Sequence, residues 1–402
     1  MTQILQQPAA QMTLGQMIAA QDALNNEFLV HSTNYTNRFG ARAHVDGGNI
    51  SWTLPQFGLL SKLMLTVYGT ITVAGTVTSG TFQNRPNPAP FVLGKQLRFY
   101  NNQSVFVRNH SLWGGYKWLR SRYGVDPFGG LTSGSLSTFN NAMVGNSALA
   151  SAPGGTPSNP LPASNIAAGT YNIAMSFAIP IAYNNRLSTG ALNLQSNSIL
   201  YTLSLDTAQI ASGISATGGT NDLFNALVGT GLSVTSNLTW TLNGEIFTIP
   251  AGHEPNESMV MTVQELTKSP LIAGENYLDL PNADIYTMMI AELYNAGAPV
   301  DPRTITETQF RYSGGTRRYD ADPICQNAQF LYEHGIPQID GVTAYDLGIR
   351  NGIVEQRDLF DGFNSASVTN AQIAITLPGT FAASGNNGIT VLSETLKSAT
   401  QG

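Results

Sequence analysis

The sequence predicts an all-β chain folded as two β-sandwiches in tandem. Three observations predict it: a polar surface built from uncharged residues, apolar residues at every second position in several segments, and a set of local signals that recurs in the same order in both halves.

Of 402 residues 42% are hydrophobic but only 11% are charged, against roughly 25% charged in ordinary globular domains. The remaining polarity comes from Ser, Thr, Asn, Gln and 40 Gly, which favour turns and extended strands over exposed helices. A chain of this length exceeds the size at which one core keeps growing, so two domains are expected. The net charge of -6, with 19 Lys and Arg, leaves no basic stripe able to neutralise many phosphates; direct contact with nucleic acid is not expected. The single cysteine, Cys325, excludes an intrachain disulfide and fits folding in a cytoplasm. The N-terminus lacks the pattern of a secretory signal, and no apolar run reaches the about 18 residues of a bilayer-spanning helix.

In chain order, Thr13 to Leu29 reads as an amphipathic helix. Leu14, Met17, Ile18, Gln21, Leu24, Asn25 and Phe28 fall at steps of three and four, and Leu14, Met17, Ile18, Leu24 and Phe28 form one apolar stripe on an N-terminal arm spanning 1–30. Met1 to Gln11 is rich in Gln and Ala, with Pro8, and needs a neighbour to order it. From Leu59 to Val73, Leu59, Leu63, Leu65, Val67, Ile71 and Val73 share one parity while Lys62, Thr66, Tyr68, Thr70 and Thr72 share the other, the pattern of a strand with one face in the core. Ile199 to Leu205 and Met259 to Val263 alternate in the same way. Between Leu238 and Ile249 the pair Asn243-Gly244 predicts a tight hairpin, because both residues tolerate positive φ. Gly129 to Gly169 and Thr207 to Asn237 lack periodicity and read as long loops, with a helix-like turn at Asp222 to Val228.

Four signals then repeat. Leu54-Pro55 with its strand to Tyr68 matches Leu280-Pro281 with its strand to Tyr294, 226 residues on; the even offset keeps parity, so Leu63 aligns with Met289 and Val67 with Leu293. Gln96-Leu97-Arg98-Phe99 matches Gln309-Phe310-Arg311-Tyr312, which places Arg98 and Arg311 on equivalent faces. A short helix follows each: Ser111 caps Leu112 to Tyr123, ended by Gly124, and Asp322-Pro323 opens a helix ended by Gly335. Last, Ile173 to Phe177, with Pro180 beyond, matches Ile373 to Leu377 with Pro378. Antiparallel sandwiches of this size with one inserted helix are expected to be jelly rolls or Greek keys. The predicted fold is therefore two tandem eight-stranded jelly-roll β-sandwiches, 31–253 and 254–390, each with a short inserted helix. The arm precedes them and a tail, 391–402, follows.

Signals of catalysis are missing: no G-x-S-x-G elbow, phosphate loop or G-x-G-x-x-G turn occurs. His31, His44, His110, His253 and His334 are scattered without zinc-site spacing, so no metal or cofactor is expected. His253 with Glu254 and Glu257 reads as a polar interdomain turn near Ala251 to Asn256. Carboxylate pairs of a glycosidase could converge from separate strands, but none is singled out. Trp52, Trp113, Trp118 and Trp240 lie in or beside strands or the first helix, which favours core packing over sugar stacking.

The Gln- and Ala-rich amphipathic arm, two sandwiches each with a helix before its later strands, and the segment Ile173 to Asp206 containing Ile179-Pro180-Ile181-Ala182-Tyr183 together resemble the double jelly-roll major capsid proteins of tectivirus-like, internal-membrane bacteriophages, related in architecture to the adenovirus hexon. The resemblance implies a non-enzymatic coat protein located in the virion. It would form homotrimers whose six sandwiches make a pseudo-hexagonal tile of an icosahedral shell, with neighbouring trimers, vertex proteins, and an internal membrane or minor capsid proteins as partners. It also implies that the arm lies beneath the shell, its stripe docked on lipid or an adjoining subunit; Asp22 and Glu27, with no flanking Lys or Arg, weigh against lipid. The competing readings are a secreted or surface carbohydrate-binding or adhesive β-sandwich, and a jelly-roll hydrolase.

Overall fold

The computed structural model describes residues 30–89, 91–124, 166–182, 191–195, 198–248, 259–281, 285–339, 341–347, 362–365 and 368–398. Its longer strands fall into two sets of eight. The first is β1 (Asn34–Ala43), β2 (Asn49–Thr53), β3 (Leu59–Phe82), β4 (Gly94–Asn101), β5 (Phe106–His110), β6 (Gly169–Pro180), β7 (Tyr201–Thr207) and β8 (Phe224–Phe247), with helix α1 (Leu112–Tyr123) between β5 and β6. The second is β9 (Met259–Lys268), β10 (Gly274–Asp279), β11 (Ile285–Asn295), β12 (Glu307–Tyr312), β13 (Thr316–Ala321), β14 (Val342–Asp346), β15 (Gln372–Leu377) and β16 (Gly388–Ser398), with α2 (Pro323–His334) between β13 and β14.

Pairing gives the two sets the same topology. In the first, antiparallel sheets run β1-β8-β3-β6 and β2-β7-β4-β5. In the second they run β9-β16-β11-β14 and β10-β15-β12-β13. Each strand of the first set thus has its counterpart eight strands later, and each set is an eight-stranded jelly roll. The parity seen in the sequence is the packing parity. Leu63, Leu65 and Val67 in β3 are fully buried, as are Met289, Ala291 and Leu293 in β11.

The duplication extends to a local irregularity. The β3–β8 ladder skips Ser61 between Leu60 and Lys62, and the β11–β16 ladder skips Thr287 between Tyr286 and Met288. Ser61 and Thr287 are 226 residues apart, the offset of the two strands. Each hydroxyl oxygen lies 3.4 Å from the carbonyl oxygen of the residue facing the bulge, Glu245 or Glu394. An extra residue in one strand is a specific structural device, so its recurrence with the same hydroxyl contact marks Glu245 and Glu394 as equivalent positions.

The two jelly rolls are not beads on a string. β5 pairs with β9 in parallel through Arg108 and Asn109 opposite Val263 and Gln264, fusing a sheet of each into one of ten strands. Helix α1 packs on this second jelly roll, and β11 is buried on both faces from Tyr286 to Tyr294, whereas β3 alternates buried and partly exposed residues between Ser61 and Tyr68.

Several expectations are corrected. Asn243-Gly244 is not a hairpin: β8 runs straight through it, with Asn243 opposite Met64 and Gly244 opposite Leu63. Glycine is required there because the ring of Phe39 from β1 lies where a Cβ would sit, 2.5 Å from its nearest atom. Within the expected loop Thr207 to Asn237, residues 214–215 and 218–219 are short strands and β8 begins at Phe224, so the expected helix-like turn at Asp222 to Val228 is strand from Phe224 onward. The fourth repeat match is out of register. β6, holding Ile173 to Phe177, pairs with β3 as β14 pairs with β11; β15, holding Ile373 to Leu377, corresponds to β7. The expected tail from 391 is strand through Ser398, paired to both β9 and β11. Residues 1–29 of the arm, most of Gly129 to Gly169 and the expected boundary at 253–254 lie outside the described residues. Among the described residues no helix is long and apolar enough to cross a membrane.

Candidate functional site: the seam between the jelly rolls

Helix α1 makes the seam. Its start is set locally: the Ser111 hydroxyl accepts from the Gly114 N–H at 2.9 Å, and Gly124 ends the helix at φ 63°, its N–H bonded to the Arg120 carbonyl. Two glycines in its first turn let it approach closely. A Cβ on Gly114 would lie 2.7 Å from a Glu265 carboxylate oxygen, and one on Gly115 would lie 2.7 Å from the His110 ring.

The outer face of α1 carries Trp113, Lys117, Trp118 and Arg122, and each meets a carboxylate of the second jelly roll. Glu292 Oε2 on β11 accepts from Trp113 Nε1 at 2.8 Å and Lys117 Nζ at 2.7 Å, while its Oε1 lies 2.5 Å from Arg85 Nε. Glu394 on β16 accepts Trp118 Nε1 at 2.7 Å on Oε2, and Arg122 Nη1 at 2.6 Å and the Thr287 hydroxyl on Oε1. Glu265 on β9 accepts the Ser111 backbone N–H at 2.6 Å. Arg108 donates across the sheet junction to the Met261 carbonyl, and also to those of Val107 and Pro180. Burial lowers its guanidinium to about 10, which keeps it charged at neutral pH.

Arg85, Arg108, Lys117, Arg122, Glu292 and Glu394 are all buried. Taking such charges out of water costs several kcal/mol per ion, recovered only where partners and extra hydrogen bonds are complete. Here each carboxylate has at least two donors. Packed around them, Met288, Ile290, Val342, Ala344, Leu392 and Leu396 of the second jelly roll join the apolar cluster of the first. The seam fixes one relative placement of two jelly rolls. It offers no exposed nucleophile beside a base.

His44, His110 and His334 are structural. His44 donates from Nε2 to the Ala208 carbonyl at 3.0 Å and accepts the Trp240 indole N–H on Nδ1 at 3.2 Å, which only the neutral ring can do; burial lowers its pKa. His110 donates from Nδ1 to the Ser111 carbonyl at 2.8 Å, and burial lowers it to about 4. His334 lies 3.3 Å from Asp346. Trp52, Trp113, Trp118 and Trp240 are all buried, so none is a stacking platform. Among the described residues no three His, Cys, Asp or Glu side chains group as metal ligands.

Leu14, Met17, Ile18, Leu24 and Phe28 lie outside the described residues, as do His253, Glu254 and Glu257. Sequence reasoning missed the seam carboxylates. Their signal is an acid inside an otherwise uncharged apolar strand: Glu292 between Ala291 and Leu293, and Glu394 in Val391 to Leu396.

Solved structures share this arrangement over nearly the whole chain. The STIV MCP superposes with a TM-score of 0.60 at 14% identity, covering 91% of this chain and 97% of that one. The PBCV-1 virus capsid gives 0.57 at 10% identity, covering 91% and 94%. The chain has the double jelly-roll fold. The Faustovirus major capsid protein shares the double jelly roll with a TM-score of 0.54 at 10% identity, covering 96% and 99%. No protein-family description and no curated protein matches the sequence of this double jelly-roll chain.

Proposed function

We propose that this chain is a viral major capsid protein, a structural rather than catalytic component of the virion. The observation that carries the reading is a pair of equivalent jelly rolls, joined by a buried ionic seam, in the fold shared with the STIV MCP and the Faustovirus major capsid protein. Fold alone does not fix function; the duplication adds a physical reason. Two like walls per chain on a threefold axis make a nearly hexagonal tile from one gene product, through closed symmetric contacts.

Three copies form the trimer, and trimers pack with their neighbours into an icosahedral shell. In the finer version of the proposal the shell encloses an internal membrane and meets vertex proteins. Leu14, Met17, Ile18, Leu24 and Phe28 of the arm are then its contact stripe toward lipid, a minor capsid protein or an adjoining subunit.

Native mass of the purified chain tests the reading. A stable species of three chain masses is expected, and a monomer at high concentration overturns it. Removing residues 1–30 should leave trimers that no longer assemble into shells; normal shell assembly by the truncated chain would remove the arm's role.

A further inference from the structure

The first jelly roll leaves an apolar patch open at the end where its chain enters. Tyr35, Phe57, Val105 and Leu200 are exposed there. Pairing places them together. Phe247 lies opposite Asn34 on one side and Leu59 on the other, which sets the starts of β1 and β3 beside the end of β8. The Leu54 N–H donates to the Tyr201 carbonyl and the Asn102 N–H to the Leu200 carbonyl, each at 2.9 Å, which brings the start of β7 and the β4–β5 turn to the same end.

The second jelly roll has no counterpart among the described residues. Its β12–β13 turn is Ser313-Gly314-Gly315. Its exposed large apolar residues are Ile272 and Tyr277, in and after the β9–β10 turn, and three on α2. The patch thus belongs to the roll that carries the N-terminal arm.

The entry of the chain indicates what covers it. Val30 and His31 are helical and continue the helix expected over Thr13 to Leu29, with Ser32 and Thr33 alone before β1. At 3.6 residues per turn Val30 falls on the face opposite Leu14, Met17, Ile18, Leu24 and Phe28. Val30 is 77% exposed, so the face away from the stripe meets solvent and the stripe turns toward the body. Reach agrees. The expected helix is about 25 Å long at about 1.5 Å per residue. β1 is at the edge of one sheet and the β4–β5 turn at the far side of the other, so the span between them is about 17 Å at about 4.8 Å per strand and about 10 Å between sheets.

We infer that the apolar stripe of the arm seats on this patch of its own chain and closes the open end of the first jelly roll. Leu24 and Phe28 come over Tyr35 and Phe57, and Met17 and Ile18 reach Val105 and Leu200. This seat takes the place of the outward partners of the finer capsid proposal and is independent of the trimer.

Two measurements test it. Glu27 is the arm's only glutamate, so a glutamate-specific protease reads its accessibility through release of residues 1–27. In the purified full chain without lipid this site should be protected. M17D/I18D on the stripe and V105D/L200D on the patch should each speed the cut about tenfold or more, because cleavage follows the population of the open form; the substituted patch positions are exposed, so the melting profile should hold. In a C325S background, I18C with V105C should be joined by a short bismaleimide within one chain, while the two cysteines on separate co-expressed chains should give no joined dimer. A wild-type site cut as fast as in M17D/I18D, an arm still protected in V105D/L200D, no cross-link in I18C/V105C, or a joined dimer from the separate chains each overturns the seat. None of these outcomes reads the number of chains in the oligomer, so native mass tests the capsid reading separately.

Discussion

Glu394, on the last strand of the second jelly roll, accepts the indole N–H of Trp118 from the helix of the first at 2.7 Å, while its other oxygen holds Arg122 at 2.6 Å. One carboxylate thus ties two domains through a buried hydrogen bond and a buried ion pair. Glu394→Ala should lower unfolding stability by about 3–5 kcal/mol, because it removes the buried carboxylate that both Trp118 and Arg122 meet. Denaturant titration reads this, and a loss below about 1 kcal/mol would mean that the seam carries little.

Glu292 meets two hydrogen-bond donors, Trp113 and Lys117, and the Arg85 guanidinium, which gives an ordering. Glu292→Met takes the carboxylate from Arg85, Lys117 and Trp113 at once, whereas Lys117→Met leaves Glu292 with Arg85 and Trp113. The first variant should be the less stable by about 1–3 kcal/mol, one unsatisfied buried partner's worth. Equal losses in matched melts would contradict this division of roles.

Close approach of backbones requires glycine at two sites of different kinds. Gly114→Ala pushes a methyl toward Glu265 in the seam, and Gly244→Ala pushes one into the Phe39 ring. Each should cost about 1–3 kcal/mol by overpacking. In helix α1 that outweighs the gain of about 1 kcal/mol in helix propensity. A stabilised Gly114→Ala protein, by thermal melt, would show that the helix has room.

How much could be read in advance depends on the range of each cause. The ends of α1 and α2 were legible because Ser111, Gly124, Asp322 and Gly335 act on their own helix termini. The parity of β3 was legible because one face meets the core. Asn243-Gly244 misled because its glycine answers to Phe39, some two hundred residues earlier, and not to a turn. β15 was aligned with β6 on apolar pattern alone, though strand equivalence is decided by pairing partners. The acids of the seam stood out in the sequence, but their partners, Trp113, Lys117, Trp118 and Arg122, become neighbours only through the fold.

His44 and His110 make the fold sensitive to acid. Both are held below the ordinary histidine value by burial, His110 to about 4. A lowered folded-state pKa gives stability that is complete above about pH 6.5 and is lost as pH falls through the folded value. Between pH 6.5 and about 4, His110 should remove up to about 3 kcal/mol, and His44 adds to the loss as its protonated Nδ1 opposes the Trp240 N–H. Denaturation at pH 7 and pH 4.5 reads the difference. A flat profile across that window would contradict the buried neutral rings.

On the capsid proposal each chain brings two equivalent walls to a threefold assembly. Electron microscopy of the purified oligomer, viewed down its symmetry axis, tests it most directly. Six lobes of similar size around a threefold axis are predicted; end-on views with any other lobe number, or a single-chain particle with two lobes, would contradict it.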